Sequence, residues 1–519
     1  MSTLKRRRRI GLKCKQFEIG KTRYFRPVCI QKRLGFVGGP SGYVEVEENE
    51  KDCGPLILRE ELLKVTESSN GDYTAFLEKK AQLGSDHGFD PIWMPDFLFD
   101  FQKHLVEWAL RKGRGAMFAD CGLGKTPVSL VWCENIIRKE NKPILILTPL
   151  AVAQQFVREG EKFGIEVHYA RDGIVRKGIN VVNYQRLHYF DPSDFIGLVC
   201  DESGVLKHHD TKTRKAVTDF CMKIPYRLLG TATPAPNDFM ELGNSAEVLG
   251  VMGYAQMLGM FFINDGDTTS QWRLKGHAKK RFWQWVSTWA RAVRKPSDLG
   301  FDDDGFILSP LNIEQHTVEA SKPESGQLFR FAAKTLNEQR RERRKTLRER
   351  CEKVAELCPK DRSFIVWCQL NDEGNLLEEL LPDAVQVKGS DDNDQKEERL
   401  NGFAKGDIRV LVTKPKIGGW GLNLQCCSDV AYFPSHSWES WYQAVRRCWR
   451  FGQKREVNVH VVSSESESLV VSNMTRKERQ SSELYDGIIR EMEDFQLGRT
   501  DKKQEAMEEL EVPAWLTSV

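Results

Sequence analysis

A glycine-rich segment between a strand-like run and a helical pattern carries the first recognisable chemistry. Residues 119–126 read ADCGLGKT. Glycines allow backbone N–H groups to close around phosphate oxygens, and the N-terminus of the following helix adds the positive end of its dipole. In such a loop Lys125 reaches the β- and γ-phosphates and Thr126 ligates Mg²⁺. Ala119 stands where the general pattern has glycine, but the strand–loop–helix context still predicts a nucleotide phosphate site.

Two adjacent carboxylates, Asp201 and Glu202, end the apolar run IGLVCDE. A nucleotide-hydrolysing site needs one carboxylate to hold Mg²⁺ and another to position or activate water. Acids at the carboxyl end of a buried parallel strand face the same crevice as a phosphate loop. A strand-end turn is the ordinary alternative for a single acidic pair. Together with the upstream loop, the pair predicts hydrolysis of a nucleotide.

A third chemical group lies far along the chain, in the segment QAVRRCWRFGQ at 443–453. Arg447 and Arg450 are three residues apart and therefore share one helix face. An arginine pair at the edge of a second α/β unit would reach the site of the first unit and neutralise charge developing on the γ-phosphate. A solvated basic helix end is the alternative for this segment read alone.

The elements that would position these groups are short apolar runs separated by amphipathic stretches. This pattern predicts parallel sheets with crossover helices, and it occurs twice. A Trp- and Lys/Arg-rich stretch and a charged helical stretch lie between the two occurrences. The predicted organisation is a basic N-terminal extension at 1–90, a first lobe at 91–245, a helical insertion and linker at 246–355, a second lobe at 356–470 and a helical tail at 471–519.

Composition limits the class of protein. The 519 residues are 40% hydrophobic and 29% charged, which excludes a disordered chain, and the formal net charge is +3. No apolar run approaches the ~20 residues of a membrane span, and the basic start lacks the apolar stretch of a secretory signal. We therefore expect a cytoplasmic protein with no membrane partner. The scattered cysteines favour reduced thiols; Cys14, Cys29 and Cys53 offer zinc ligands, although no paired spacing supports such a site.

The order of these motifs resembles the superfamily 2 helicase-type ATPases, closest to the Swi/Snf-like branch of double-strand translocases and in particular to stand-alone bacteriophage versions. The matching segments are ADCGLGKT (119–126), TPLAVAQQF (148–156), VVNYQRL (181–187), CDES (200–203), GTATP (230–234), VKGS (387–390), TKPKIGGWGLNLQ (413–425) and QAVRRCWRFGQ (443–453). The resemblance implies an α/β fold of two tandem RecA-like P-loop domains, with a basic helical insertion between them and N- and C-terminal extensions. For a phage-encoded protein the expected location is the host cytoplasm.

The resemblance also implies a role for each matching residue. Those expected to bind ATP are Gln102, which would recognise adenine, and Gly122, Gly124, Lys125, Thr126 and Gly421. Those expected to hold Mg²⁺ are Thr126 and Asp201. Catalysis would use Glu202 as general base together with Asp201, Lys125, Gln443 and the arginine fingers Arg447 and Arg450. Thr231 and Thr233 would couple the ATP site to the nucleic-acid site.

Three positions depart from the family pattern. Ser203-Gly204 stand where relatives place a histidine, which bears on a coupling contact made by that histidine. Trp420 replaces a smaller aliphatic residue, and Cys448-Trp449 replace a common Ala-His. No group needed for hydrolysis is missing, so an active ATPase is expected.

A patch at 272–295 combines tryptophans with many lysines and arginines. Bases can stack on aromatic rings while cations neutralise phosphates. Trp285 and Trp289 are four residues apart, however, which favours packing in a helical core. The better candidates for phosphate contact are the cations Lys279, Lys280, Arg281 and Arg294.

Together the motifs predict an ATP-dependent DNA translocase or helicase with ATP and Mg²⁺ as cofactors and DNA, duplex favoured, as partner. A strand-separating DNA or RNA helicase is the first alternative. An ATP-gated DNA-binding recruitment module with little turnover is the second. No nuclease or methyltransferase constellation is recognisable, so partners in phage replication, recombination or restriction would supply such activities.

Overall fold

The computed structural model describes residues 86–149, 152–207, 211–264, 272–319, 343–418 and 423–496, together with the backbone of four strands near the N-terminus. The chain divides into two compact units, one of residues 1–83 with 502–519 and one of residues 84–501. In the first unit, β1 (Gly11–Ile19), β2 (Thr22–Phe36), β3 (Val44–Asp52) and β4 (Ile57–Leu58) form an antiparallel sheet in which β2 pairs with each of the others. The cysteine side chains considered for zinc lie outside the described residues.

In the second unit, the first lobe is a seven-stranded parallel sheet with the order β13-β5-β10-β9-β6-β8-β7. Its strands up to residue 230 are β5 (Arg114–Ala119), β6 (Ile144–Thr148), β7 (Val167–Tyr169), β8 (Ile179–Asn183), β9 (Gly197–Asp201) and β10 (Tyr226–Gly230). A small hairpin of β11 (Phe262–Asn264) and β12 (Trp272–Leu274) follows, and β13 (Ala290–Val293) then joins the sheet beside β5. Every residue of β6, β8, β9 and β10 is buried, as expected for strands covered on both faces.

The helices of this lobe are α1 (Asp100–Lys112), α2 (Lys125–Glu140), α3 (Ala153–Phe163), α4 (Lys212–Cys221), α5 (Leu242–Leu249), α6 (Tyr254–Phe261) and α7 (Lys279–Trp289). Buried Trp283, Trp285 and Trp289 place the aromatic face of α7 in the core of the lobe. The core interpretation of the tryptophan stripe is therefore the one that the structure supports.

The second lobe is a six-stranded parallel sheet with the order β14-β19-β18-β15-β17-β16. Its strands are β14 (Leu311–Val318), β15 (Phe364–Trp367), β16 (Ala384–Val387), β17 (Val410–Thr413), β18 (Asp429–Tyr432) and β19 (Val457–Ser464). Its helices are α8 (Leu347–Leu357), α9 (Asn371–Leu380), α10 (Asn393–Lys405), α11 (Pro415–Gly418) and α12 (Trp438–Cys448). Two parallel sheets of this kind confirm the predicted α/β fold with tandem RecA-like domains.

Four described strands come from the stretch 246–355 that the sequence predicted to be a helical insertion and linker, and two of them join the main sheets. β13 extends the first sheet and β14 forms an edge of the second, so both lobes reach into that stretch. β14 has no buried residue and carries alternating polar side chains, because it is an edge strand. An exposed edge strand lacks the apolar run by which the other strands were recognised.

The last described helix, α13 (Ser468–Gln496), follows the second lobe, and its later turns pack on the first. Leu484, Ile488 and Met492, spaced four residues apart, are buried in the core of the first lobe. α13 lies against α7 and β13. A Cβ atom on Gly487 would lie 2.7 Å from the Trp283 ring, so glycine there permits the close approach. Among the described helices, none is long and apolar enough to cross a bilayer.

Candidate nucleotide site

The phosphate loop links the end of β5 to the start of α2 and is packed on both sides. Gly122 and Gly124 have φ of 92° and 75°, in the left-handed region that favours glycine. A Cβ atom on Gly124 would lie 2.2 Å from Gln102 Nε2, and one on Gly122 would lie 2.9 Å from the Phe451 ring of the second lobe. Both glycines are therefore required by backbone conformation and by close neighbours.

Gln102 joins the start of α1 to the phosphate loop. The Phe99 backbone N–H donates to Gln102 Oε1 at 3.1 Å, and Gln102 Nε2 donates to the Leu123 carbonyl at 3.0 Å. The side chain is buried. It thus caps a helix and holds the loop, while its expected recognition of adenine stays a prediction.

The loop lysine and the acidic pair form the polar centre of the first lobe. Lys125 Nζ donates to the Ala119 carbonyl at 2.9 Å, and Thr148 Oγ1 donates to Asp201 Oδ2 at 3.0 Å. Burial, followed by the neighbouring Glu202 carboxylate, raises the pKa of Asp201 to about 7, and Lys125 opposes that rise. Thr148 therefore holds a buried carboxylate whose charge is balanced by the loop lysine.

Glu202 adopts a left-handed backbone conformation, with φ and ψ both at 50°. Among the described non-glycine residues, only Asn141 shares a positive φ. For a residue other than glycine this conformation stores about 1–3 kcal/mol of strain, which persists where the surroundings fix it and is frequent at functional sites. The strain lies at the residue expected to be the general base.

Of the two predicted arginines of the second lobe, Arg447 lies on α12 and Arg450 lies just beyond the end of that helix at Cys448. Arg447 Nη2 donates to Gln443 Oε1 at 2.9 Å, and both residues are buried on α12. A Cβ atom on Gly122 would lie 3.6 Å from Arg450 Cγ. Burial and the adjacent Arg447 charge lower the pKa of Arg450. The structure thus places Arg450 against the phosphate loop of the first lobe; Gly421 lies outside the described residues.

A buried ion pair between the lobes was missed by the sequence reasoning. Arg446 Nη2 donates to Asp120 Oδ2 at 2.6 Å and to the Cys121 carbonyl at 3.1 Å, and the Tyr442 hydroxyl donates to Asp120 Oδ1. Arg446 is 2% exposed. The one available signal was that Tyr442 and Arg446 are four residues apart, like Gln443 and Arg447 on the adjacent helix face.

Aromatic rings, rather than further hydrogen-bond acceptors, surround the rest of the Arg446 guanidinium. It lies 4.8 Å from the Trp449 ring centroid. Its Nε and Nη1 atoms have no hydrogen-bond partner among the described residues. Trp449, a departure from the family pattern, thus packs on the arginine that contacts the phosphate loop. A cation over an aromatic face is stabilised by the ring quadrupole.

Glu439 of α12 makes a second contact between the lobes, also missed from sequence. Its carboxylate is hydrogen-bonded to the Lys207 ammonium and accepts from Thr233 Oγ1 at 3.5 Å. A Cβ atom on Gly204 would lie 3.0 Å from Glu439 Oε1, so the position is close to the limit for any side chain. A carboxylate from the second lobe therefore occupies the neighbourhood where relatives carry a histidine.

The two predicted coupling threonines are buried next to this contact. The Thr233 N–H donates to Thr231 Oγ1 at 3.1 Å. Between them, the Ala232 carbonyl accepts a hydrogen bond from the Tyr485 hydroxyl of α13 at 2.9 Å. The segment 231–233 is therefore held by a hydrogen bond of its own, by Glu439 of α12 and by Tyr485 of α13.

The four cations expected to contact nucleic acid differ in their surroundings. Lys279 pairs with Glu483 of α13, and Arg294 Nη2 lies 2.7 Å from Asp486 Oδ1 on the same helix. Lys280 and Arg281 are exposed. Acidic residues of α13 thus compete with phosphate for two of the four cations, and the contact of all four with nucleic acid stays a prediction.

Residues 349–452 match the family model described as the helicase conserved C-terminal domain. The uncharacterized ATP-dependent helicase YqhH of Bacillus subtilis is 31% identical over 31% of this chain and 30% of its own length. The putative ATP-dependent helicase/translocase YwqA of the same organism is 22% identical over 69% of this chain and 45% of its own length. The chain thus spans less than half of the length of these two relatives. The match and the relatives confirm the predicted resemblance to superfamily 2 helicase-type ATPases.

Two further similarities cover almost the whole of the protein compared. The putative protein p41 of Acyrthosiphon pisum secondary endosymbiont phage 1 is 24% identical over 74% of this chain and 96% of its own length. The solved SWI2/SNF2 ATPase core of Sulfolobus solfataricus in complex with dsDNA is 19% identical, over 76% of this chain and 96% of that chain, with a TM-score of 0.37.

Proposed function

We propose that this chain is an ATP-driven motor that hydrolyses ATP between its two lobes and thereby moves along DNA, with duplex DNA favoured. The observation that carries the proposal is the approach of Arg450 and Arg446, from the second lobe, to the phosphate loop of the first. A site shared by two lobes converts a change at the γ-phosphate into a change in the contact between them. This is the arrangement that a motor needs and that a simple nucleotide-binding domain does not.

The residues present fit ATP with a bound magnesium ion. Lys125 would neutralise the β- and γ-phosphates, while Thr126 and Asp201 would supply the hard oxygen ligands that Mg²⁺ prefers. Thr148 already orients the Asp201 carboxylate. When bound, Mg²⁺ would neutralise charge on the phosphate oxygens.

The remaining groups would promote hydrolysis. Glu202 would accept the proton of the attacking water. Arg447 and Arg450 would neutralise charge that develops on the transferred phosphoryl group, with Gln443 fixing the orientation of Arg447.

Coupling to nucleic acid would pass through the segment of Thr231 and Thr233. Glu439 contacts both Thr233 and Lys207 of the first lobe, so a movement of α12 would change both contacts. We assign to Glu439 the coupling role that the missing histidine has in relatives.

Movement along a nucleic acid is supported by the similarity to YwqA, a putative ATP-dependent helicase/translocase. A strand-separating DNA or RNA helicase with the same ATP site is the first alternative. A recruitment module with little turnover is the second, and the complete set of hydrolytic groups argues against it.

The test measures ATP hydrolysis in parallel with no nucleic acid, duplex DNA, single-stranded DNA and RNA. Duplex DNA should stimulate most, and the protein should displace a triplex-forming strand while leaving a forked duplex paired. Glu202→Gln should abolish stimulated hydrolysis, whereas Glu166→Gln, a change at an exposed glutamate, should not. If only single-stranded DNA or RNA stimulates ATP hydrolysis and the forked duplex is unwound, the strand-separating helicase is the function and the translocase proposal is wrong.

A further inference from the structure

Three metal-ligating side chains converge at the edge of the second sheet and take no part in the nucleotide site. The edge strand β14 pairs in parallel with β19, and the register aligns Glu314 with His460. Side chains two residues apart on a strand point to the same face. His316 therefore joins Glu314 and His460 on one face of the sheet.

The three ligand atoms form a nearly equilateral triangle. His316 Nε2 lies 3.1 Å from His460 Nδ1 and 3.6 Å from Glu314 Oε2, and His460 Nδ1 lies 3.4 Å from Glu314 Oε2. In a tetrahedral zinc site with bonds of roughly 2.0–2.1 Å, neighbouring ligand atoms are about 3.3 Å apart. The triangle already has the size of one face of such a tetrahedron.

We propose that Glu314, His316 and His460 bind a divalent transition metal ion, with Zn²⁺ as the best fit. Two imidazoles and one carboxylate are a donor set that such ions prefer, whereas Mg²⁺ and Ca²⁺ take oxygen ligands. The imidazole side chains are 18% and 14% exposed and that of Glu314 is 61% exposed, which leaves an open side for a water as fourth ligand.

A plain hydrogen bond between the imidazoles is the competing explanation. It accounts for the 3.1 Å separation of the two nitrogens. It does not account for the carboxylate, because Glu314 Oε2 lies nearly equidistant from both nitrogens, at the outer limit of hydrogen bonding. One central cation satisfies all three atoms at once.

A metal ion here would fasten the edge strand to its neighbour. β14 contacts only β19 within the sheet. It is also where the chain enters the second lobe from the first. A bond through the metal would add to the ladder hydrogen bonds that hold this strand, and it would stabilise the folded state by mass action.

The proposal is tested by titrating the chelator-stripped full chain with Co²⁺ and then Zn²⁺, following the visible absorption of bound Co²⁺ and the heat of binding. The wild-type chain should bind one equivalent through this site. His316→Ala and His460→Ala should each weaken that binding about tenfold or more, since loss of groups that merely support ligands already costs 10–100-fold. Glu314→Gln, at a side chain that is 61% exposed, should weaken it as well.

His168→Ala is the matched control, because His168 is half-buried and lies 3.4 Å from a single glutamate, Glu166. It should bind metal like wild type, and so should a chain with Cys14, Cys29 and Cys53 changed to serine. Added Zn²⁺ should raise the Tm of wild type and of both controls but not that of the histidine variants. Unchanged binding in His316→Ala, His460→Ala and Glu314→Gln, or loss of binding in the cysteine variant, would overturn the proposal.

Discussion

Replacing Arg446 with methionine removes the cation that links α12 to the phosphate loop. Asp120 then keeps the Tyr442 hydroxyl and the Cys121 N–H but loses its counter-charge. Removing one partner of a buried ion pair costs about 3–5 kcal/mol, because the other charge stays buried. Because Asp120 keeps two hydrogen bonds, we take the lower end. About 3 kcal/mol corresponds to a shift of roughly 150-fold in the equilibrium between joined and separated lobes.

The assay is duplex-stimulated ATP hydrolysis, with fluorescence energy transfer between a dye on each lobe as the direct report of lobe contact. Arg446→Met should lower kcat/KM for ATP by about 100-fold and lower the transfer efficiency in parallel. The matched control is Lys454→Met, which removes an exposed charge from the same lobe and should change neither quantity.

A double-mutant cycle separates the ion pair from other effects of each change. Asp120→Asn combined with Arg446→Met removes both charges, so the double variant should be less impaired than the sum of the single variants predicts. Strictly additive effects, or an Arg446→Met protein that hydrolyses ATP like Lys454→Met, would refute the reasoning from buried charge.

Glu439→Gln should leave basal ATP hydrolysis within about twofold of wild type but reduce its stimulation by DNA several-fold, because the contact with Lys207 loses its charge. A parallel loss of the basal and the stimulated rate would contradict a coupling role for Glu439. Tyr485→Phe should lower the free energy of unfolding by about 1 kcal/mol through loss of the hydrogen bond to a buried carbonyl, measured by urea denaturation against the exposed Tyr189→Phe. Folding raises the pKa of Asp201 to about 7, so the folded state holds a proton that the unfolded chain releases at about pH 4. The contribution of Asp201 to the stability of the metal-free fold is therefore complete below about pH 4 and is lost as pH rises through about 7. In the absence of divalent ions, Asp201→Asn should therefore raise Tm above that of wild type by more at about pH 8 than at about pH 5. An equal rise in Tm at the two pH values would contradict the raised pKa of Asp201.

Much of the fold was predictable from local sequence, and so were the elements that carry the candidate catalytic residues, whose roles stay predictions. Strand–loop–helix order fixes where Lys125 stands, and a buried parallel strand delivers Asp201 to the same edge of the sheet. The spacing of Arg447 and Arg450 predicted one shared helix face, which is wrong, because α12 ends at Cys448 and only Arg447 lies on it. β13 and β14 were not found, since a short strand and an exposed edge strand leave little periodic signal.

The sequence by itself determined the two α/β lobes, the order of motifs and the choice of candidate residues for a nucleotide site. Only the tertiary structure decided that Arg446 meets Asp120 across 326 residues of chain, that Glu439 occupies the space beside Gly204, and that α13 returns to the first lobe. It also decided that His316 and His460, 144 residues apart in the chain, meet diagonally across two paired strands. The reason is physical: local spacing sets which face a side chain takes on its own element, whereas partners on distant elements are selected by how the buried surfaces of the whole chain pack.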